Sequence, residues 1–192
     1  MAPTLEKVFD LRAFLGKTDT LPLGHVKGGA QRIIVPVTSG FLKGSGVEAE
    51  IIPTTGADWL LLDPATGTAH LDVRIALRTK DGDSIYIYYP GIIKLDEKIG
   101  MALSWDPAMR TTKSSDHYFF VTPRIEVSNE KHKWMEQTVF VSHGLVSLSH
   151  ASQQLADAYS KTLLGTRGWH SSGGVRGVQA GVGVAEASCN AQ

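Results

Sequence analysis

Apolar and polar positions alternate with a period of two along much of the chain up to Gly144, and nowhere more cleanly than in His70–Tyr89, HLDVRIALRT-KDGD-SIYIYY. Leu71, Val73, Ile75 and Leu77 alternate with Asp72, Arg74, Ala76 and Arg78, the signature of a half-buried strand. Asp81-Gly82 supplies a hairpin turn. With Gly82 as the left-handed residue of the loop, Thr79 pairs with Asp83. Leu77 then faces Ile85, Ile75 faces Ile87 and Val73 faces Tyr89. On the opposite face Arg74 meets Tyr88, flanked by Asp72 and Tyr86. A loop shorter by one residue would mix apolar with charged partners, so the pattern selects the first register. One face is aliphatic core. The other carries an arginine, a carboxylate and two phenols, which suits a polar-lined pocket and equally a wet outer surface.

Elsewhere the pattern is β with one ambiguity. Leu5–Leu15 suits a helix as well as a strand. Strands are predicted at Gln31–Val37, with Pro36 marking an edge or a bulge, at Val47–Pro53 and at Trp59–Asp63. A long loop is expected from Lys94 to Asp116. Two further strands follow, Asp116–Val127 and Met135–His143, separated by the polar turn SNEKHK. Short strands punctuated by Gly, Pro and Asp argue an all-β, antiparallel barrel or sandwich over 1–146. Nothing alternates β with α, which argues against a doubly wound sheet. Residues 147–164 read as a short amphipathic helix capped by Ser147 or Ser149. Residues 165–192, rich in Gly and Ser, read as a disordered tail.

Composition narrows the setting. The 192 residues carry 19 basic and 19 acidic side chains, so no charge excess points to nucleic acid or an anionic membrane. No apolar run is long enough to span a bilayer as a helix, and the N-terminus lacks the basic-then-apolar plan of a signal peptide. The single cysteine, Cys189, allows no intrachain disulfide. A cytoplasmic, soluble protein is the expectation. Seven histidines lack metal-ligand spacing, and no phosphate loop or nucleophile elbow is present. Neither a metal nor a cofactor is expected.

Candidate chemistry rests on a few side chains. Asp58, at a strand entrance, would act in proton transfer if buried; as a turn cap it would bond its own backbone, with Trp59 packing the barrel mouth. Asp72 and Arg74 share a strand face, where Arg74 would anchor a ligand oxyanion or form a weak surface pair. Tyr86 and Tyr88 would add aromatic walls, and Thr122, beside Phe120 and Arg124, would extend the lining.

The order SG-x3-G-x-G at Ser39–Gly46, GADW at Gly56–Trp59, LDVRIALRTKDGDSIYI, YYPG ending at Gly91, YFFVTPRIEV, KHKW and VFVSHG resembles the family catalogued as domain of unknown function 3237. The resemblance covers Leu5–Gly144. It implies a compact, lipocalin-like antiparallel β-barrel that often associates as a dimer, and it carries no established reaction. Ser39-Gly40 and Thr55-Gly56 stand where the family usually has paired glycines. After Gly144 the family continues into a further strand, whereas LVSLSHASQQLADAYS has poor strand character; either the last strand is displaced or the C-terminus is atypical, and a barrel missing a strand would expose an edge.

Two functions follow as expectations. One is a small-molecule-binding barrel, a cofactor-independent isomerase or cyclase for a polar aromatic or polyketide-like compound. Asp58 or Asp72 would move the proton, Arg74 would anchor an oxyanion, and Trp59, Tyr86, Tyr88 and Thr122 would line the site. The other is a non-catalytic homodimer joined through the Arg74/Tyr88 face. These alternatives separate on whether Asp58, Trp59, Arg74 and Tyr88 open into one pocket.

Overall fold

A computed structural model of the chain describes residues 4–148 and 177–188. Its strands are β1 (Thr4–Gly16), β2 (Leu21–His25), β3 (Gln31–Gly44), β4 (Val47–Ile51), β5 (Gly56–Asp63), β6 (Thr68–Thr79) and β7 (Ser84–Lys94), then β8 (Phe119–Val121), β9 (Arg124–Val127), β10 (Phe140–Leu148) and β11 (Gly177–Ser188). All pairings are antiparallel. The ring β1–β3–β5–β6–β7–β8–β10–β11 closes back on β1. The fold is therefore a closed antiparallel β-barrel. β4 bridges β3 and β6 beyond the start of β5, and β9 continues alongside the first half of β7.

The β6–β7 hairpin forms in the register that the hydrophobic pattern selects, with Leu77 opposite Ile85, Ile75 opposite Ile87, Val73 opposite Tyr89 and Arg74 opposite Tyr88. Thr79 donates its N–H to Asp83 O at 3.0 Å, and Gly82 takes φ +91°, a conformation that an L side chain resists. The aliphatic face is core: Val73, Ile75, Leu77, Ile85, Ile87 and Tyr89 are all buried. The opposite face lies outside the barrel.

Several elements depart from the sequence pattern. Leu5–Leu15 resolves to strand, because Phe9, Leu11 and Ala13 alternate inward. Pro36 sits in a strand flanked on both sides, with a register shift against β1 just beyond it, between Leu15↔Val37 and Phe14↔Ser39; the bulge is the alternative realised. The long loop expected after Lys94 contains a helix, α1 (Glu97–Leu103), started by Asp96, whose carboxylate accepts the Ile99 N–H at 2.8 Å. Asp116–Val127 is broken at Thr122-Pro123, and Met135 belongs to a 3-10 segment, Glu130–Gln137, that precedes β10.

The C-terminal expectations also change. Ser147 and Leu148 end β10 rather than begin a helix, and the rest of that proposed helix, 149–164, lies outside the described residues. Within the expected disordered tail, Gly177–Ser188 forms β11 between β1 and β10. Small residues leave a β-backbone free to pair on both edges, and a closed ring satisfies the N–H and C=O groups that a free tail would leave to water. The barrel thus extends beyond residue 146, and the edge expected from a missing strand is covered.

The barrel is filled unevenly. At the hairpin end, Phe9 stacks on Trp134 with ring centroids 5.7 Å apart, and Phe140 tilts against both. At the other end, α1 lies over the mouth with Ile99 and Ala102 buried beneath it.

Candidate functional site

Beneath α1 the barrel encloses a cavity of about 280 Å3. Its walls are hydrocarbon: Leu60, Leu71 and Ile93 from β5, β6 and β7, and Ile99 and Leu103 from α1, with Trp105 beyond the helix. Asp58 is the only ionisable side chain among the described lining residues. It points inward because Val35 and Val73, its partners on β3 and β6, share its side of the sheet.

A local break in the sheet holds this carboxyl in place. Paired residues of β5 and β6 run from Ala57↔Arg74 to Asp58↔Val73 and resume at Leu61↔His70. In the gap, Asp72 N–H donates to Asp58 Oδ1 at 3.1 Å, and the Arg32 guanidinium donates to Trp59 O. Two backbone groups that the ladder leaves over are thereby satisfied by side chains, as buried polar groups require. Gly56 permits the close approach that starts this region, since a Cβ there would lie 2.3 Å from Arg74 O.

Burial, above all, raises Asp58 from 3.8 to about 7. The Asp72 N–H pulls it down, the Asp72 charge pushes it up, and the Arg32 charge pulls it down again. Burial also lifts the neighbouring Tyr89 phenol, and the Asp58 charge adds to that shift. A carboxyl that exchanges its proton near neutrality, in an apolar enclosure, can serve as either acid or base. Asp58 is not the turn cap that its position allows, because its bond reaches fourteen residues along the chain to β6.

The remaining sequence-derived positions gather elsewhere. Arg74 lies on the outer face, its guanidinium carbon 5.3 Å from the Trp59 ring centre and 5.0 Å from that of Tyr88. Asp72 Oδ1 stands 3.1 Å from Arg74 Nη1 as an ion pair, without the alignment of a hydrogen bond. Tyr86 borders an open outer groove with Arg78 and Arg124. Thr122 is exposed at the β8–β9 break, its N–H bonded to Pro90 O at 3.0 Å. The barrel wall therefore separates Asp58 from Trp59, Asp72, Arg74, Tyr86 and Tyr88. Among the described residues no group of three or more His, Cys, Asp or Glu is placed to hold a metal ion, and no helix is long and apolar enough to cross a membrane.

Sequence reasoning did not anticipate α1 as a wall of the site. Its signal was available: Asp96 as cap, then Ile99, Ala102 and Leu103 at helical spacing. The helix is anchored by an oxygen of Asp96 that lies 2.7 Å from His117 Nδ1. Burial pushes the Asp96 carboxyl upward, but the Ile99 N–H and His117 together hold it below its ordinary value.

An antiparallel barrel with one acid in an apolar mouth defines the class of molecule. The chain belongs to the family described as "Protein of unknown function (DUF3237)", whose model matches residues 3–160. It is 30% identical over 165 residues to a UPF0311 protein of Rhodopseudomonas palustris, covering 83% of this chain and 98% of that one. The crystal structure of that R. palustris protein superposes with a TM-score of 0.69 at 21% identity, over 97% of this chain and 98% of that chain. A "beta-barrel like protein" of Acinetobacter baumannii gives a TM-score of 0.60 at 21% identity, over 96% and 97%. An enzyme from Penicillium herquei gives 0.50 at 12% identity, over 96% of each chain.

Proposed function

We propose that this protein binds a small molecule in the barrel mouth and moves a proton on it through Asp58, as a cofactor-independent isomerase or cyclase does. The observation that carries this reading is a buried carboxyl, Asp58, as the only ionisable side chain among the described residues of a largely apolar cavity. Burying such a group costs stability, and functional sites are where such groups concentrate. An enzyme from P. herquei is built on a related fold, which is compatible with chemistry in a barrel of this shape. Trp59, Arg74 and Tyr88 do not enter this site. Arg74 is already engaged by two rings and a carboxylate on the far side of the wall.

To test the reading, a metabolite extract is equilibrated with the protein, freed of unbound compounds and analysed by mass spectrometry. A compound retained by the wild type and by Arg74→Ala, but lost from Ala102→Trp, is the expected result. Retention that survives Ala102→Trp and disappears with Arg74→Ala overturns it and moves the site to the outer face.

The outer face supports a second reading, as an interface between two copies of the chain. Beyond the Trp59–Arg74–Tyr88 stack the surface continues through Ile92, Tyr118 and Phe120, all exposed, with Phe120 stacked on His143 at 4.4 Å. Arg74, Lys94 and Arg124 stand among Asp72 and Glu126 on these strands, so the face carries both signs of charge and can complement itself. Sedimentation velocity of Arg74→Glu checks it. A wild-type dimer converted to monomer supports the interface, and an unchanged state removes it.

A further inference from the structure

The cavity's chemistry restricts what it can hold. This step rests on the reading that the ligand lies beneath α1. At the packing density of protein interiors, about 280 Å3 accommodates a molecule of roughly a dozen non-hydrogen atoms.

Charged ligands fit poorly. A carboxylate or phosphate would enter a space that has no cation among its described lining residues and would face Asp58 itself. An alkylammonium brings three N–H donors. It would find Asp58 and, at most, the Thr20 hydroxyl, which already donates to Gly16 O at 2.8 Å. A buried cation with unmatched donors loses more in desolvation than one carboxylate returns. A sugar or other polyol fails for the same reason, since most of its hydroxyls would face Leu60, Leu71, Ile93 and Ile99 without partners.

What remains is an uncharged molecule with one polar end. Asp58 Oδ1 accepts the Asp72 N–H, which leaves Oδ2 as the oxygen for a ligand to meet. Held neutral, the carboxyl offers one O–H from that oxygen, and its complement is a single acceptor. We propose that the barrel mouth takes a compact, uncharged carbonyl compound, a cyclic ketone or lactone, with its oxygen against Asp58 Oδ2 and its hydrocarbon body against Leu60, Leu71, Ile93 and Ile99. The polar aromatic compound expected from the outer-face residues belongs to the other side of the wall.

Calorimetry with a matched set of probes tests this: the bicyclic ketone decalone, its alcohol decalol, the amine aminodecalin and the hydrocarbon decalin. Each is measured at about pH 5.5 and about pH 8.5, either side of the Asp58 titration. Decalone is expected to bind best at the lower pH and to weaken about tenfold at the higher, as the donated hydrogen bond is lost. Decalin should be indifferent to pH. Asp58→Asn, which keeps an N–H donor, should bind decalone with no pH dependence. Asp58→Leu should bind decalone no better than decalin.

Ala102→Trp, or Leu103→Trp as a second plug, should abolish binding while circular dichroism shows the barrel intact. If an intact plugged variant still binds every probe, the cavity is not the site and the functional reading fails with the proposal. If plugging abolishes binding but decalol or aminodecalin is preferred, or decalone affinity is flat with pH, the carbonyl assignment alone is overturned. Failure of the wild type to bind any probe overturns it as well.

Discussion

Asp58 differs from Asp96, Asp116 and Glu136 in the direction of its shift: burial raises it, whereas hydrogen bonds hold the other three down. Asp58 holds its proton in the folded state up to about pH 7, whereas its ordinary value is 3.8. Between those values the folded chain binds a proton that the unfolded chain has released, so stability contributed by this site falls as pH rises through the window. Asp58→Asn keeps an acceptor for the Asp72 N–H and cannot ionise. It should therefore raise stability by a few kcal/mol at about pH 8 and change little near pH 4, as read by urea unfolding at both pH values. Arg74 makes a contrasting case. Its stack with Trp59 and Tyr88 is half exposed, so Arg74→Ala should cost only about 1 kcal/mol by the same measurement and leave cavity ligands bound. Alternation along His70–Tyr89 identified which side chains share a face, and the register followed from it. It also marked the aliphatic face as core, as the structure has it, but left open whether the Arg74/Tyr88 face lines a pocket or meets water, because an aromatic-polar set suits both. Asp58 was readable as a candidate; its burial was not, since that depends on β3 and β6 closing over it from distant parts of the chain.

Among the elements, β5 and α1 shape the site. β5 must run close to β6 at Gly56 and then release its ladder at Trp59 for Asp58 to reach the Asp72 N–H. Gly56→Ala would place a Cβ 2.3 Å from Arg74 O and 2.7 Å from Ile75 Cγ2. It should cost about 2–3 kcal/mol in thermal unfolding and weaken ligand binding together with stability. For α1 the sensitive point is Asp96, which caps the helix and contacts His117. Asp96→Ala should destabilise by about 1 kcal/mol. It should also speed ligand exchange in stopped-flow measurements, with equilibrium affinity changed far less. The helix escaped notice in the sequence because it is short and carries Gly100, and short apolar patterns flanked by polar residues read as loop. Strands were legible because each repeats its period across many residues; α1 offers fewer than two turns.

At the scale of the whole molecule, closure is the decisive property. β11 pairs with β1 along Thr4–Gly16 and with β10 along Phe140–Leu148, so two long edges depend on one Gly-rich segment. A chain ending at Leu148 should lose its cooperative thermal transition and associate, which light scattering during a temperature ramp would report. The sequence foretold a barrel but not its last stave, because Val178, Val182 and Val184 are diluted by Gly and Ala and no aromatic side chain marks the segment as a strand. Closure by β11 also sets an order of events during synthesis. Of the described strands β11 leaves the ribosome last, while its partner β1 leaves first. Until then the nascent barrel carries two unpaired edges, so its ring can shut only once β11 has emerged, and the chain before that point is a natural client for factors that shield open sheets.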